Sequence, residues 1–130
     1  MDHINWLAVL AAAVSAFLLG GIWYGPLFKR AWCHEAGIDP GVAPKHPARV
    51  FAIAFLCSLL AAAAFAWFLG TAPELHRSLH AGFMIGLAWV AMSFGINYAF
   101  AQRSLKLWLI DAGYHVLQFT LYGLVIGLWH

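Results

Sequence analysis

The sequence predicts an all-α integral membrane protein, a four-helix transmembrane bundle with a short interfacial segment after the first helix. Three observations carry that expectation. Of 130 residues, 64% are hydrophobic and 9% charged, with a mean hydropathy of +0.80; a soluble domain has roughly 45–50% apolar and ~25% charged residues. Apolar runs near residues 4–24, 48–69, 79–101 and 105–129 each supply the ~20 residues that cross a bilayer. Breaks separate the runs: Gly25-Pro26, Pro44 to Pro47, Gly70 to Pro73, and Gln102-Arg103-Ser104. Four spans use most of the chain, so residues 1–130 are expected to form a single transmembrane domain.

The first span reads as retained, because Met1-Asp2-His3 carries no Lys or Arg and the apolar run is too long for a signal peptide. The connection from Pro26 to Pro47 opens with Leu27-Phe28-Lys29-Arg30-Ala31-Trp32, an amphipathic piece suited to a helical turn in the membrane interface. The second span is apolar throughout, and its Cys57 is expected to be a small core residue. Cys33 lies in a loop, so neither a disulfide framework nor a CxxC pair is present. Along the third span, Gly82, Gly86, Ser93 and Asn97 share one face of small residues. Such a face admits close helix approach, within the chain or in a homodimer.

Charge sets the orientation. Lys29, Arg30, Lys45 and Arg49 flank the first connection and Arg103 and Lys106 the third, whereas the second holds only Arg77. The positive-inside rule places the first and third connections in the cytoplasm and both termini outside. Trp6, Trp23, Trp67, Trp108 and Trp129 then fall near span ends, as aromatic belts do.

The fourth span carries the chemistry. Ser104, Asp111, His115, Gln118 and Tyr122 keep within about 60° of arc, with Tyr114 at the edge. A carboxylate and an imidazole are costly in hydrocarbon and must face other helices, water or a partner. At ~1.5 Å per residue, Asp111 lies ~9–10 Å from the inner end, with Asn97 and Tyr24 at similar depth. Arg103 and Lys29 are candidate charge partners that either snorkel outward or turn toward Asp111. His115, one turn farther, can pass a proton because imidazole accepts on one nitrogen and donates from the other; Gln118 and Tyr122 extend the line. Two readings stay open. Asp111, His115, Gln118, Tyr122, Asn97 and Tyr24 line a pathway for a small solute or ion, or Asp111 is locked to Arg103 and capped by Asn97 while the others bond helix to helix at about 0.6 kcal/mol each.

Other constellations are weaker. His76 and His80 sit one turn apart at the outer start of the third span, with His3 and His130 on the same surface. Two imidazoles on one turn can chelate Zn or Cu, but Arg77 lies between them and ordinary interfacial histidines are expected. A haem between His80 and His115 fails on depth, since they differ by about 17 Å along the membrane normal. Cys33-His34-Glu35 with His46 matches no zinc spacing. No cofactor is expected. Without a phosphate loop, a serine elbow or paired carboxylates, an enzyme is not expected and no catalytic residue is assigned. The net charge of +2 is used for topology, which leaves nothing for nucleic acid. The expected partners are the lipid bilayer, a second copy of the chain, and a small solute or ion.

Gly21-Ile22-Trp23-Tyr24 with Lys29 echoes Gly95-Ile96-Asn97-Tyr98 with Arg103 at a constant offset. Two hairpins of equal topology would fit a parallel repeat, although chance supplies this many identities in apolar helices. Ile4-Asn5-Trp6-Leu7-Ala8-Val9, Trp23-Tyr24-Gly25-Pro26-Leu27-Phe28 with Trp32, Asn97 and Phe100 before Arg103-Ser104, and Asp111-Ala112-Gly113-Tyr114 occur in order. In these segments the chain resembles the bacterial membrane family known as domain of unknown function 1761, over nearly its whole length. The resemblance implies a small multi-span protein of the bacterial inner membrane with no established activity. Position 111 in that family is commonly Asn or another small polar residue, so the acid is a departure from the pattern. Four helices enclose little more than a side-chain core, so a pathway is easier to build from two copies. The expectation is a homo-oligomer that conducts or transports a small solute or ion; the alternative is a non-transporting scaffold or accessory subunit.

Overall fold

Asn5 and Ser104 begin the first and last spans in the same way. Each sits in extended backbone and its side chain accepts from an N–H three residues on, Ala8 N at 3.2 Å and Leu107 N at 3.1 Å, which satisfies an otherwise orphaned donor. Ser104 is thus a helix cap as well as the first residue of the polar stripe. In this computed structural model, which describes residues 4–39, 41, 47–71 and 73–129, the α-helices are α1 (Trp6–Ile22), α2 (Lys29–Ala36), α3 (Pro47–Leu69), α4 (Leu75–Met84), α5 (Met92–Phe100) and α6 (Leu105–Leu128). Wider π segments, Trp23–Leu27 and Ile85–Ala91, extend α1 and join α4 to α5. Among the described residues, four helical stretches are long and apolar enough to cross a membrane: Trp6–Leu27, Pro47–Leu69, Leu75–Phe100 and Leu105–Leu128. Among the described residues there is no strand. His3, Lys45, His46 and His130 lie outside the described residues.

The boundaries differ from expectation for local reasons. Pro26 does not end the first span; lacking an N–H, it lets the ladder slip, and Phe28 N donates to Trp23 O at 3.0 Å. The third span begins at Leu75, so His76 and His80 occupy its first turns. The amphipathic piece after the first span is α2, closed by Gly37 in left-handed backbone (φ 74°), with Ile38 N donating to Cys33 O at 2.9 Å. Span three closes by the same motif on Gln102, a non-glycine at φ 57°, with Arg103 N donating to Tyr98 O at 2.9 Å.

The last span, α6, is the central helix: it packs on α4, the second π segment and α1, while α3 lies mainly on α1. Glycines set the α4–α6 crossing. A Cβ on Gly82 would overlap the Phe119 carbonyl, one on Gly123 would overlap that of Ser78, and one on Gly86 would come 2.7 Å from Val116 Cα. Backbone meets backbone there, as small residues permit. On the other side, Val9, Ala12, Ala13 and Ala16 of α1 and Ala62, Phe65 and Ala66 of α3 close around Tyr122 and Ile126.

Two packing expectations are corrected. Gly82 and Gly86 are buried against α6, but Ser93 and Asn97 are exposed. The π segment between them holds one extra residue in its turn, rotating the remainder of the span by about 100° and splitting the face that an uninterrupted helix would have kept. Cys57 is exposed on α3, whereas Cys33 is buried on α2. An evenly apolar helix carries no stripe to say which side meets protein and which meets lipid.

Candidate functional site

Asp111 lies two turns into α6, 8% exposed. The first π segment is pinned beside it: Trp23 Nε1 donates to Ile110 O at 2.9 Å, and the slipped turn brings round Tyr24, whose hydroxyl donates to Asp111 Oδ1 at 2.6 Å. Trp32 of α2 donates from Nε1 to the same oxygen at 2.9 Å, and the Tyr98 hydroxyl of α5 donates to Oδ2. Two phenols and an indole, from three different elements, thus surround one carboxylate. The Tyr24 ring meets Trp32 and Tyr114 edge-on, at 5.7 and 5.5 Å between centroids, which fixes its direction.

The anticipated charge partners are elsewhere. Among the described residues, the only ion pair joins His34 to Glu35, so neither Arg103 nor Lys29 locks Asp111. Arg103 follows the left-handed turn at Gln102 and reaches back to the end of α2, with Nη1 3.4 Å from Ala36 O. It shares a recess of about 220 Å³ with Asp111, Tyr98 and Trp32. Lys29 lines a separate groove against α3. Asn97 does not cap Asp111: it is exposed, and its neighbour Tyr98 takes the inward position.

The outer part of the stripe forms a second network. His115 Nδ1 lies 2.5 Å from Gln118 Oε1, and Gln118 Nε2 donates to the Tyr122 hydroxyl at 2.7 Å. That hydroxyl donates to Ser58 O at 3.0 Å, with Ser58 Oγ 2.6 Å away. The imidazole stacks on Phe94 with centroids 4.8 Å apart, and Tyr114 donates to Ala16 O at 2.9 Å. Asp111 and His115 are not bonded to each other in either network, so the stripe divides into a carboxylate cage and an amide–tyrosine line. His76 and His80 are exposed, and no three His, Cys, Asp or Glu among the described residues are grouped to hold a metal.

Sequence reasoning reached Tyr24 and Asp111 but not Trp32 or Tyr98 as their companions. A signal existed for both, since Trp32 ends the amphipathic piece and Tyr98 stands opposite Tyr24 in the internal echo. The model of the family described as protein of unknown function, DUF1761, matches residues 7–127. The chain belongs to that family. No curated protein and no solved structure matches it. All four cage residues lie inside the stretch matched to DUF1761. Within it the echo acquires a physical meaning, because Tyr24 and Tyr98 donate to opposite oxygens of one carboxylate.

Proposed function

We propose that this DUF1761 member resides in the bacterial inner membrane with its basic end in the cytoplasm and both termini outside, assembles as a homo-oligomer, and takes up a proton or small cation at Asp111 for movement across the bilayer. The observation carrying this reading is the cage itself: a carboxylate within a membrane span, held by neutral donors and in no direct ion pair among the described residues. Ionisable groups in hydrocarbon ordinarily pair with opposite charge; Arg103 lines the same recess but bonds to Ala36 O and not to Asp111, so direct pairing is left to a proton or cation. A carboxylate offers about four acceptor positions, and three are used. The fourth is available to an occupant of the recess that Asp111 lines.

Beyond the cage, the line from His115 to Ser58 is closely packed, and Tyr122 is 0% exposed. Of the two candidates a proton fits this line better, because it needs only hydrogen bonds whereas a hydrated ion needs open space. Lys29, Arg30, Arg49, Arg103 and Lys106 at one end against Arg77 at the other support the orientation. Exposed Ser93 and Asn97 on the third span support a second copy, because an amide facing lipid is costly.

The same packing favours a second reading, a scaffold whose stripe only specifies the bundle, since Gln118, Tyr122 and Ser58 satisfy one another between α6 and α3. Proteoliposomes holding a pH-sensitive dye separate the two. Wild type is expected to dissipate an imposed gradient and Asp111→Asn, equally well folded, to hold it. Background rates for both assign the stripe to the scaffold.

A further inference from the structure

A groove of about 440 Å³ lies between α1 and α3, away from the Asp111 recess, lined by Phe17, Gly20, Gly21, Tyr24, Lys29 and Phe51 among others. Its volume is within the range of about 300–1,000 Å³ typical of small-molecule sites. The glycines hollow it out: a Cβ at Gly21 or Gly25 would meet nothing within 4 Å. Its polar wall groups are already committed to the protein, Tyr24 to Asp111 and Tyr114 to Ala16 O, so the slot presents an apolar surface. It opens on the outside of two membrane spans, where the surrounding medium is acyl chain rather than water. At its basic end stands Lys29, exposed and, among the described residues, without an ion pair.

An apolar slot between two spans with a single ammonium at one end has the shape and charge of one lipid. We propose that the groove between α1 and α3 binds an anionic phospholipid, one acyl chain filling the space beside Gly21 and Gly25 and the phosphate ester on Lys29. Zwitterionic lipids offer the same chain but no net charge, so preference is set at the lysine. One Lys beside an anionic headgroup corresponds to about a fivefold gain in affinity. Tyr24 is a wall of this groove and a donor to Asp111, so a bound chain braces the carboxylate cage from behind.

The test uses the purified full chain in detergent, titrated with phosphatidylglycerol or phosphatidylcholine of identical acyl chains, with retained lipid counted by native mass spectrometry. Wild type is expected to retain one phosphatidylglycerol with about fivefold preference. Lys29→Gln should keep the retained lipid and lose the preference. Gly21→Leu, which fills the slot on an exposed helical position and leaves the charge in place, should lose the lipid while far-ultraviolet circular dichroism stays unchanged. An undiminished preference in Lys29→Gln, undiminished retention in Gly21→Leu, or no retained lipid on wild type overturns the proposal. Inorganic phosphate that raises the thermal midpoint as much as phosphatidylglycerol does would assign Lys29 to free anions, and overturns it as well.

Discussion

Replacing Asp111 by Ala removes the acceptor of three donors at once, the Tyr24 and Tyr98 hydroxyls and the Trp32 indole. A buried donor left unpaired costs about 1–3 kcal/mol. All three donors are only half-buried, and the adjoining recess admits water, so the lower figure applies to each. The sum is about 3 kcal/mol, or about 10 °C in thermal midpoint on the scaling of soluble domains of this size. The loss has a location, because Trp32 is what ties α2 to the bundle through Asp111. Tryptic cleavage after Lys29 and Arg30 should therefore accelerate in parallel. Asp111→Asn keeps a carbonyl oxygen for Tyr24 and Trp32 and obliges only the Tyr98 hydroxyl to turn and accept. No donor is then left unpaired, so its midpoint should stay close to wild type. The assay is differential scanning fluorimetry of the three proteins in one detergent, alongside a trypsin time course. An Asp111→Ala midpoint and digestion rate equal to those of wild type would refute the cage as an organising contact.

Three further outcomes are expected. Gly123→Leu drives a side chain into the Ser78 carbonyl and should cost at least the about 1–3 kcal/mol of ordinary overpacking, read as loss of the monodisperse peak in size-exclusion chromatography. Gln102→Gly relieves a left-handed non-glycine and should raise stability by about 0.5–1 kcal/mol, measured as a higher thermal midpoint. Tyr122→Phe cuts the line between Gln118 and Ser58 and should cost about 1 kcal/mol; unchanged stability would mean those bonds are remade elsewhere.

The span count was legible because each run is long and apolar enough to declare itself, and the fourth span because its polar residues recur at helical spacing. Depth reckoning brought Tyr24 level with Asp111, and the hydroxyl is 2.6 Å away. The rest depended on departures from regular helix that leave little trace in composition. The slip at Pro26 and the π segment at Ile85–Ala91 rotate Tyr24, Ser93 and Asn97 relative to any 3.6-residue wheel. Charge drew attention to Arg103 and Lys29 as partners of Asp111, yet two neutral phenols and an indole take three of its acceptor positions, and the arginine serves a helix end instead. For α3, lipid and protein are alike apolar surroundings, so the sequence could not tell the Cys57 side from the Ala62 side.

The helix on which the bundle is built is also the fourth of the four spans in chain order. Tyr24, Trp32 and Tyr98 are synthesised well before the acceptor they share, and the glycine contacts of Gly82 and Gly86 have no counterpart until α6 arrives. Nascent chains that stop before Leu105 therefore pair α1 with α3 but leave α4 without the helix it packs on, exposed to whatever surveys unfinished membrane proteins. Insertion of α6 supplies all of these partners together, which makes Leu105–Leu128 the commitment point of assembly.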